Sequence, residues 1–252
     1  MGLFFIQILD YDTAMTDVES KRWVITLIGP PGAGKGTQAD LLAEDFGLQH
    51  IETSKVIEEK FKNAKPDDQE IIEAKVQYDA GKLVNPQLFA KWLTEKIREL
   101  AIASHGLVFS GSFRTLPESY VLMPVCEELY GKNNIFFVNI EVSQDESVVR
   151  NTGRRICKAN RHPIPRFAQV DRCPKDGSEL IVRSLDKPET IKVRYQTYVQ
   201  DTAPVLEYIR KQGYNPVKIN GEQEIAAVHD DITHALHGLH ASMHLDILKQ
   251  GE

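Results

Sequence analysis

Short apolar runs alternate with longer stretches of helical spacing along this chain. Residues 23–28, 49–51, 107–110, 135–142 and 217–219 read as strands, with helical segments between them. That alternation predicts an α/β domain of three layers: a central parallel five-stranded sheet, helices on both faces, and ligands at the carboxyl ends of the strands. Near the C-terminus Ile225, Val228, Ile232 and Leu236 are spaced to form one buried stripe of a helix. Two regions break the alternation. Residues 54–100 are charged and helical, punctuated by Pro66, Gly81 and Pro86. Residues 157–186 carry Pro163, Pro165, Pro174 and Gly177 and no long period. Both read as mobile flaps set on the sheet.

The first strand runs into Gly29-Pro-Pro-Gly-Ala-Gly-Lys-Gly-Thr-Gln38, and a helical run follows. Strand, glycine loop and helix in that order form a phosphate-binding loop, because backbone N–H groups and a helix N-terminus converge on an anion. Gly29, Gly32 and Gly34 permit close backbone approach, and Lys35 brings a mobile cation to the terminal phosphates. The general pattern puts a hydroxyl directly after the lysine. Here Gly36 takes that place and Thr37 follows it.

Composition narrows the classes. Thirty basic and thirty-six acidic residues give a net charge of −6, and no basic stretch is dense enough for a nucleic-acid groove. The longest N-terminal apolar run, residues 3–9, is far short of a membrane span and lacks the basic flank of a signal peptide. Three cysteines, an odd number, fit a reducing compartment, so a cytoplasmic location is expected. Three readings stay open for residues 1–20: an extra strand, a disordered leader, or translation from upstream of Met15. Five of the eight histidines fall at His229, His234, His237, His240 and His244. A solvated helical face is the expected reading, with a metal site at His237, His240 and His244 as the alternative.

The loop with its displaced Thr37 resembles that of the adenylate kinases, and further landmarks follow in that family's order. They are Thr53, Ala80-Gly-Lys82-Leu83-Val84, Gly111 to Thr115, Arg150-Asn-Thr-Gly-Arg154-Arg, then Arg183 and Arg194. The resemblance runs from about Trp23 to Leu236. It implies a P-loop core (22–53, 87–156 and 188–236), a monophosphate-binding flap (54–86), a lid over ATP (157–187), an N-terminal extension (1–21) and a C-terminal tail (237–252). It implies the reaction ATP + NMP ⇌ ADP + NDP, with Mg²⁺ accompanying ATP and a small monophosphate as acceptor; a monomer is expected, and composition points to no nucleic-acid or membrane partner. Lys35, Arg114, Arg154, Arg183 and Arg194 match the family's phosphate-facing cations. The ATP side would comprise Gly29, Gly32, Ala33, Gly34, Lys35, Gly36, Thr37, Arg150 and Arg154. The monophosphate side would comprise Thr53, Lys82, Leu83, Val84, Gly111, Arg114, Arg183 and Arg194. Arginine suits both sides because its planar fork grips phosphate oxygens and stays charged.

Three positions depart from the family pattern. Glu58 replaces an arginine that grips the monophosphate, Ser110 an aspartate near Mg²⁺, and Glu118 a glutamine that reads the adenine edge. Two new carboxylates in an anion pocket predict weak use of AMP. Two alternatives to the kinase follow: a nucleotide-binding relative with a degenerate acceptor site, or a P-loop kinase for another small phosphorylated acceptor. In the lid, Cys157, His162, Cys173 and Asp176 match positions where some family members hold a structural zinc. The other reading of those residues is a hydrogen-bonded lid.

Overall fold

The computed structural model describes residues 22–79, 83–103, 105–159, 163–164, 168–182 and 186–250, with side chains as far as Ala241. The extension 1–21 lies outside the described residues, as do Lys82, His162 and Arg183. The elements run β1 (Val24–Ile28), α1 (Lys35–Phe46), β2 (Gln49–Ile51), α2 (Thr53–Asn63), α3 (Gln69–Asp79), α4 (Pro86–Ile102), β3 (Leu107–Phe109), α5 (Leu116–Tyr130), β4 (Ile135–Glu141) and α6 (Gln144–Asn151). There follow β5 (Arg155–Cys157), β6 (Pro163–Ile164), β7 (Leu180–Val182), α7 (Pro188–Thr197), a wide π-type turn over residues 198–202, α8 (Ala203–Lys211), β8 (Val217–Asn220) and α9 (Ile225–Gln250).

Among the described residues the central sheet has five parallel strands in the order β2-β3-β1-β4-β8. Every residue of β1 is buried, as a strand covered on both faces requires. Side chains alternate between two cores. Val24, Ile28, Phe109 and Phe137 pack with α4, α5 and α8 through residues such as Leu93, Leu122 and Ile209. Ile25, Leu27, Phe136 and Val138 pack with α1 and α9 through Leu42, Phe46, Val228 and Ile232.

This layering positions the site. The helix after β1 packs on one face of the sheet and the helix after β3 on the other, although β1 and β3 are neighbours. The chain therefore diverges at their carboxyl ends and leaves a crevice there. Local capping sharpens the helix starts. Asn85 accepts hydrogen bonds from the amides of Gln87 and Leu88, and Thr115 accepts one from the amide of Glu118. Helix α1 has Gly34 at its N-cap and no capping side chain, so its first amides face the crevice.

The proline-rich insertion contains regular structure that its sequence does not signal. Strands β6, β5 and β7 form an antiparallel sheet, with Arg155 opposite both Ile164 and Val182. Strands of two or three residues are too short to show a period. The sheet begins at Arg155, two residues ahead of the expected boundary. Helix α9 likewise continues through the region read as a tail, to Gln250.

Candidate active site

The loop after β1 is held from several directions. Gly29 has φ 156° and Gly32 φ 78°; a Cβ would lie 2.4 Å from the Ile140 carbonyl oxygen at the first and 2.4 Å from Asn151 Nδ2 at the second. Helix α6 pins the loop from outside: Ser147 Oγ donates to the Pro31 carbonyl at 2.6 Å, and Asn151 Nδ2 donates to the Ser147 carbonyl. Lys35 Nζ donates to the carbonyls of Gly29 and Pro30 at 2.7 and 2.8 Å. Gly36 has no such packing constraint, since a Cβ there would meet nothing within 4 Å. Ala33 is buried beneath the loop, and Thr37 lines the crevice one position on.

The β3 side faces this loop. Its turn, Ser110 to Thr115, passes through Phe113, whose φ of 57° is left-handed and strained for a side chain of that size. Glu118 holds the turn. Its carboxylate accepts from the Phe113 amide at 2.7 Å and the Arg114 amide at 3.1 Å, while Thr202 Oγ1 donates to the Arg114 carbonyl at 2.8 Å. Gly111 leaves room for its neighbours, because a Cβ would come within 2.7 Å of Thr53 Oγ1 and 2.9 Å of Arg114 Nη2. Thr53 and Arg114, expected on one side of the acceptor site, are therefore brought together over Gly111.

The third wall comes from α6 and α7. Asp186, fully buried, receives a bidentate grip from Arg154 at 2.8–3.1 Å and has Arg194 Nη1 at 3.6 Å. Arg150 turns back on its own helix and donates to Glu146 at 2.6 Å. Burial depresses the Lys35 ammonium well below the usual lysine range, and Arg114, Arg194 and Arg154 add repulsion. The crevice thus concentrates positive charge that an anion would relieve. Leu83 and Val84 also line it. The cleft encloses about 1560 Å³, more than the roughly 300–1,000 Å³ of a single small-molecule pocket.

The family model of adenylate kinase matches residues 27–214. The adenylate kinase of Methanothrix thermoacetophila is 36% identical over 215 residues, covering 84% of this chain and 97% of that protein. That of Bacillus subtilis is 34% identical over 221 residues, covering 85% and 98%, and that of Methanocella arvoryzae is 35% identical over 218 residues, covering 84% and 98%. The chain belongs to the adenylate kinase family. It is a phosphotransferase of the nucleoside monophosphate kinase type, with a P-loop fold.

Against the pattern of the adenylate kinases, the three departures have structural answers. Glu118 does not confront the acceptor as a free carboxylate; it is 3% exposed and turned onto the backbone of its own turn. Glu58 accepts a hydrogen bond from the Tyr78 hydroxyl at 2.9 Å, which ties α2 to α3. Ser110 meets His50 Nε2 at 2.7 Å, and His50 Nδ1 meets Asp40 at 2.8 Å. Sequence reasoning missed Asp40 and His50, because nothing in their spacing marks them as partners of a serine seventy and sixty residues on.

The alternative of a metal site at His237, His240 and His244 lies outside the described residues, since side chains are described only as far as Ala241. His229 bonds Asp45 at 2.7 Å and Gln38 at 3.2 Å, while His237 and His240 lie against the Trp23 ring at centroid distances of 6.2 and 5.1 Å. His234 and His237 are exposed, as a solvated face predicts, while His229 and His240 help to attach α9 to α1 and to Trp23 just ahead of β1.

Glu118 carries a pH signature. Burial raises its carboxyl to about 7, against hydrogen bonds from Arg114, Phe113 and Thr115 that favour the charged form. A carboxyl that binds its proton more tightly when folded favours the fold at low pH, and loses that contribution as pH rises from 4.5 towards about 7. Over that window the wild-type chain is expected to lose up to ~3 kcal/mol relative to Glu118→Gln, at ~1.4 kcal/mol for each pH unit crossed. Urea unfolding of both chains at several pH values measures it, and parallel pH dependences would refute the assignment.

Proposed function

We propose that this chain transfers the terminal phosphoryl group of ATP to AMP, yielding two ADP, as a cytoplasmic monomer. The convergence of Lys35, Arg114, Arg154 and Arg194 on one crevice carries the reading, since a phosphoryl group in transit spreads negative charge over its oxygens. Gly29 to Thr37 would cradle the ATP phosphates, with Arg150 against the base and Arg154 on the transferred group. Thr53, Lys82, Leu83, Val84, Gly111, Arg114, Arg183 and Arg194 would hold the monophosphate. The insertions 54–86 and 157–187 would close over acceptor and donor and exclude water. The space at Gly36, which no packing demands, supports close approach of a phosphate. Three free cysteines suit a reducing compartment, and no described helix is long and apolar enough to cross a membrane.

Mg²⁺ would arrive with ATP, and when bound it neutralises phosphate charge and orients the phosphates. The hard hydroxyl oxygen of Thr37, at the open end of α1, suits it. Lys35 and the arginines place charge where the transferred oxygens pass. Asp186 keeps Arg154 and Arg194 aimed, and Glu118 with Thr202 fixes the backbone that carries Arg114.

A coupled assay of ATP against AMP, GMP, CMP, UMP and dAMP tests the function; turnover with AMP is expected, and binding of ATP without transfer to any of the five would refute it. Within that assay the acceptor departure falls on Glu58. Glu58→Arg is expected to lower the KM for AMP roughly tenfold, by restoring a charge-assisted contact of about 1.5–3 kcal/mol, whereas Glu118→Gln, which gives up one of the two amide bonds behind Arg114, is not expected to lower it. The reverse order of effects would show that Glu118 faces the substrate after all.

A structural zinc is the second part of the proposal. The ligand atoms of Cys157, Cys173 and Asp176 all lie within 4.8 Å of one another, which fits a small tetrahedral site, and His162 is the expected fourth ligand. Burial raises the Cys173 thiol while its hydrogen bond holds the Asp176 carboxyl below the usual range; zinc would draw both thiols into the thiolate form. Elemental analysis is expected to find about one zinc per chain, with the melting temperature lowered by chelation. A metal-free preparation indifferent to chelator would leave the hydrogen-bonded lid.

A further inference from the structure

Three side chains from three elements form a hydrogen-bonded line along the β2–β3 wall of the cleft, and neither nucleotide binding nor acceptor choice uses it. Asp40 comes from α1, His50 from β2 and Ser110 from the turn after β3. Asp40 Oδ1 stands 2.8 Å from His50 Nδ1, and His50 Nε2 stands 2.7 Å from Ser110 Oγ. The His50 side chain is 12% exposed.

The protonation pattern follows from the partners. Its hydrogen bond with His50, with help from Lys175 and Lys55, holds the Asp40 carboxyl below the usual range despite partial burial. An ionised carboxylate only accepts, so Nδ1 carries a proton; in the neutral imidazole Nε2 then keeps its lone pair and takes the Ser110 hydroxyl as its donor. Nucleophile, base and orienting carboxylate then stand in the order that activates serine on unrelated folds.

Such a line in a remote part of the fold would be a histidine tied down by polar neighbours. Its place in this fold distinguishes it. Phe109 is in register with Thr26 of β1, so Ser110 is level with Leu27, two residues before Gly29, whose carbonyl receives Lys35 Nζ. Neighbouring strands lie about 4.8 Å apart. The next residue, Gly111, has Arg114 Nη2 directly over it. The serine thus precedes the residue that lies under Arg114 and lines the same cleft as Lys35.

We propose that Ser110 is a nucleophile that takes the γ-phosphoryl group of ATP when no monophosphate is bound, leaving a phosphoserine. This rests on the reading that the cleft binds ATP. In the step, Ser110 Oγ forms a bond to the γ-phosphorus while the bond from that phosphorus to the β,γ-bridging oxygen breaks. The hydroxyl proton passes to His50 Nε2, giving an imidazolium paired with Asp40. ADP leaves with the electron pair of the broken bond, its new charge met by Lys35.

The test incubates the full chain with ATP and Mg²⁺ without acceptor, quenches in acid, where phosphoserine persists, and reads intact mass and a peptide map. One phosphoryl group at Ser110 is expected in the wild type and none at that position in Ser110→Ala. His50→Gln and Asp40→Asn should each slow incorporation at least about tenfold, because a glutamine cannot accept the proton and a neutral asparagine cannot hold the imidazolium. A wild-type chain that binds ATP by calorimetry yet stays unmodified at Ser110 overturns the proposal, as does His50→Gln labelling at the wild-type rate. A wild-type chain that binds no ATP overturns the kinase reading as well, which separates the two failures. Should His50→Gln not fold, the wild-type peptide map still decides whether Ser110 is modified.

Discussion

Replacing Lys35 with methionine is expected to lower kcat/KM for phosphoryl transfer by roughly a hundred- to a thousandfold, the scale of losing one preorganised group that meets developing charge. Methionine keeps most of the length of the side chain and removes its charge. The ammonium stands 2.7 and 2.8 Å from the carbonyls of Gly29 and Pro30, at the mouth of the loop. Its pKa is depressed first by burial and then by three arginines, so positive charge is crowded there before any nucleotide arrives. Phosphate oxygens relieve that crowding, and the transition state does so most. Calorimetry should show weakened ATP binding, and the coupled assay should show the larger loss. A methionine variant within about threefold of the wild type would mean that the loop amides and arginines suffice without the lysine.

Asp186→Asn is expected to damage both stability and turnover. The carboxylate is fully buried and receives the Arg154 fork, with Arg194 beside it. An asparagine of the same size accepts through one oxygen only and turns an N–H₂ group towards cations. Removing one member of a buried pair costs about 3–5 kcal/mol. Arg154 and Arg194 keep 19% and 31% exposure, so solvent recovers part of that, and about 2 kcal/mol is the expected loss. In a domain of this size that corresponds to a melting temperature lower by about 4–8 °C. Turnover should fall at least about tenfold, since two arginines lose their aim. An unchanged melting temperature together with turnover within twofold of wild type would show that Asp186 neither braces nor positions them.

The legible parts of this protein were those in which function is written locally. The loop 29–38 announces itself because one strand end, one helix start and one lysine must be contiguous to bind phosphate. The five central strands stand within a residue or so of the runs that predict them; β1, β3 and β4, buried on both faces, need continuous apolar sequence, while the edge strands β2 and β8 are short and partly polar. The small sheet β6-β5-β7 was not legible. It is held by a few cross-strand pairs and by Arg155 reaching the carbonyls of Ala168 and Val170, and neither leaves a period.

Substitution alone was a poor guide to side-chain direction. Glu118 reads in sequence as a carboxylate aimed at the acceptor, and in the fold it caps the amides of Phe113 and Arg114. Glu58 reads as an anion in an anion site, yet its carboxylate is engaged by Tyr78 from the neighbouring helix.

By itself the sequence determined the α/β class, the phosphate loop and the family, all of which depend on residue type and short-range order. Tertiary structure decided which cations share one crevice, which carboxylates are spent on backbone amides, and that Asp40, His50 and Ser110 meet. Those outcomes depend on where separate strands end beside one another and on which helix covers which face of the sheet. A hydrogen bond between residues sixty positions apart has no local sequence correlate; only the register of β2 against β3, and the packing of α1 across them, brings the partners within reach.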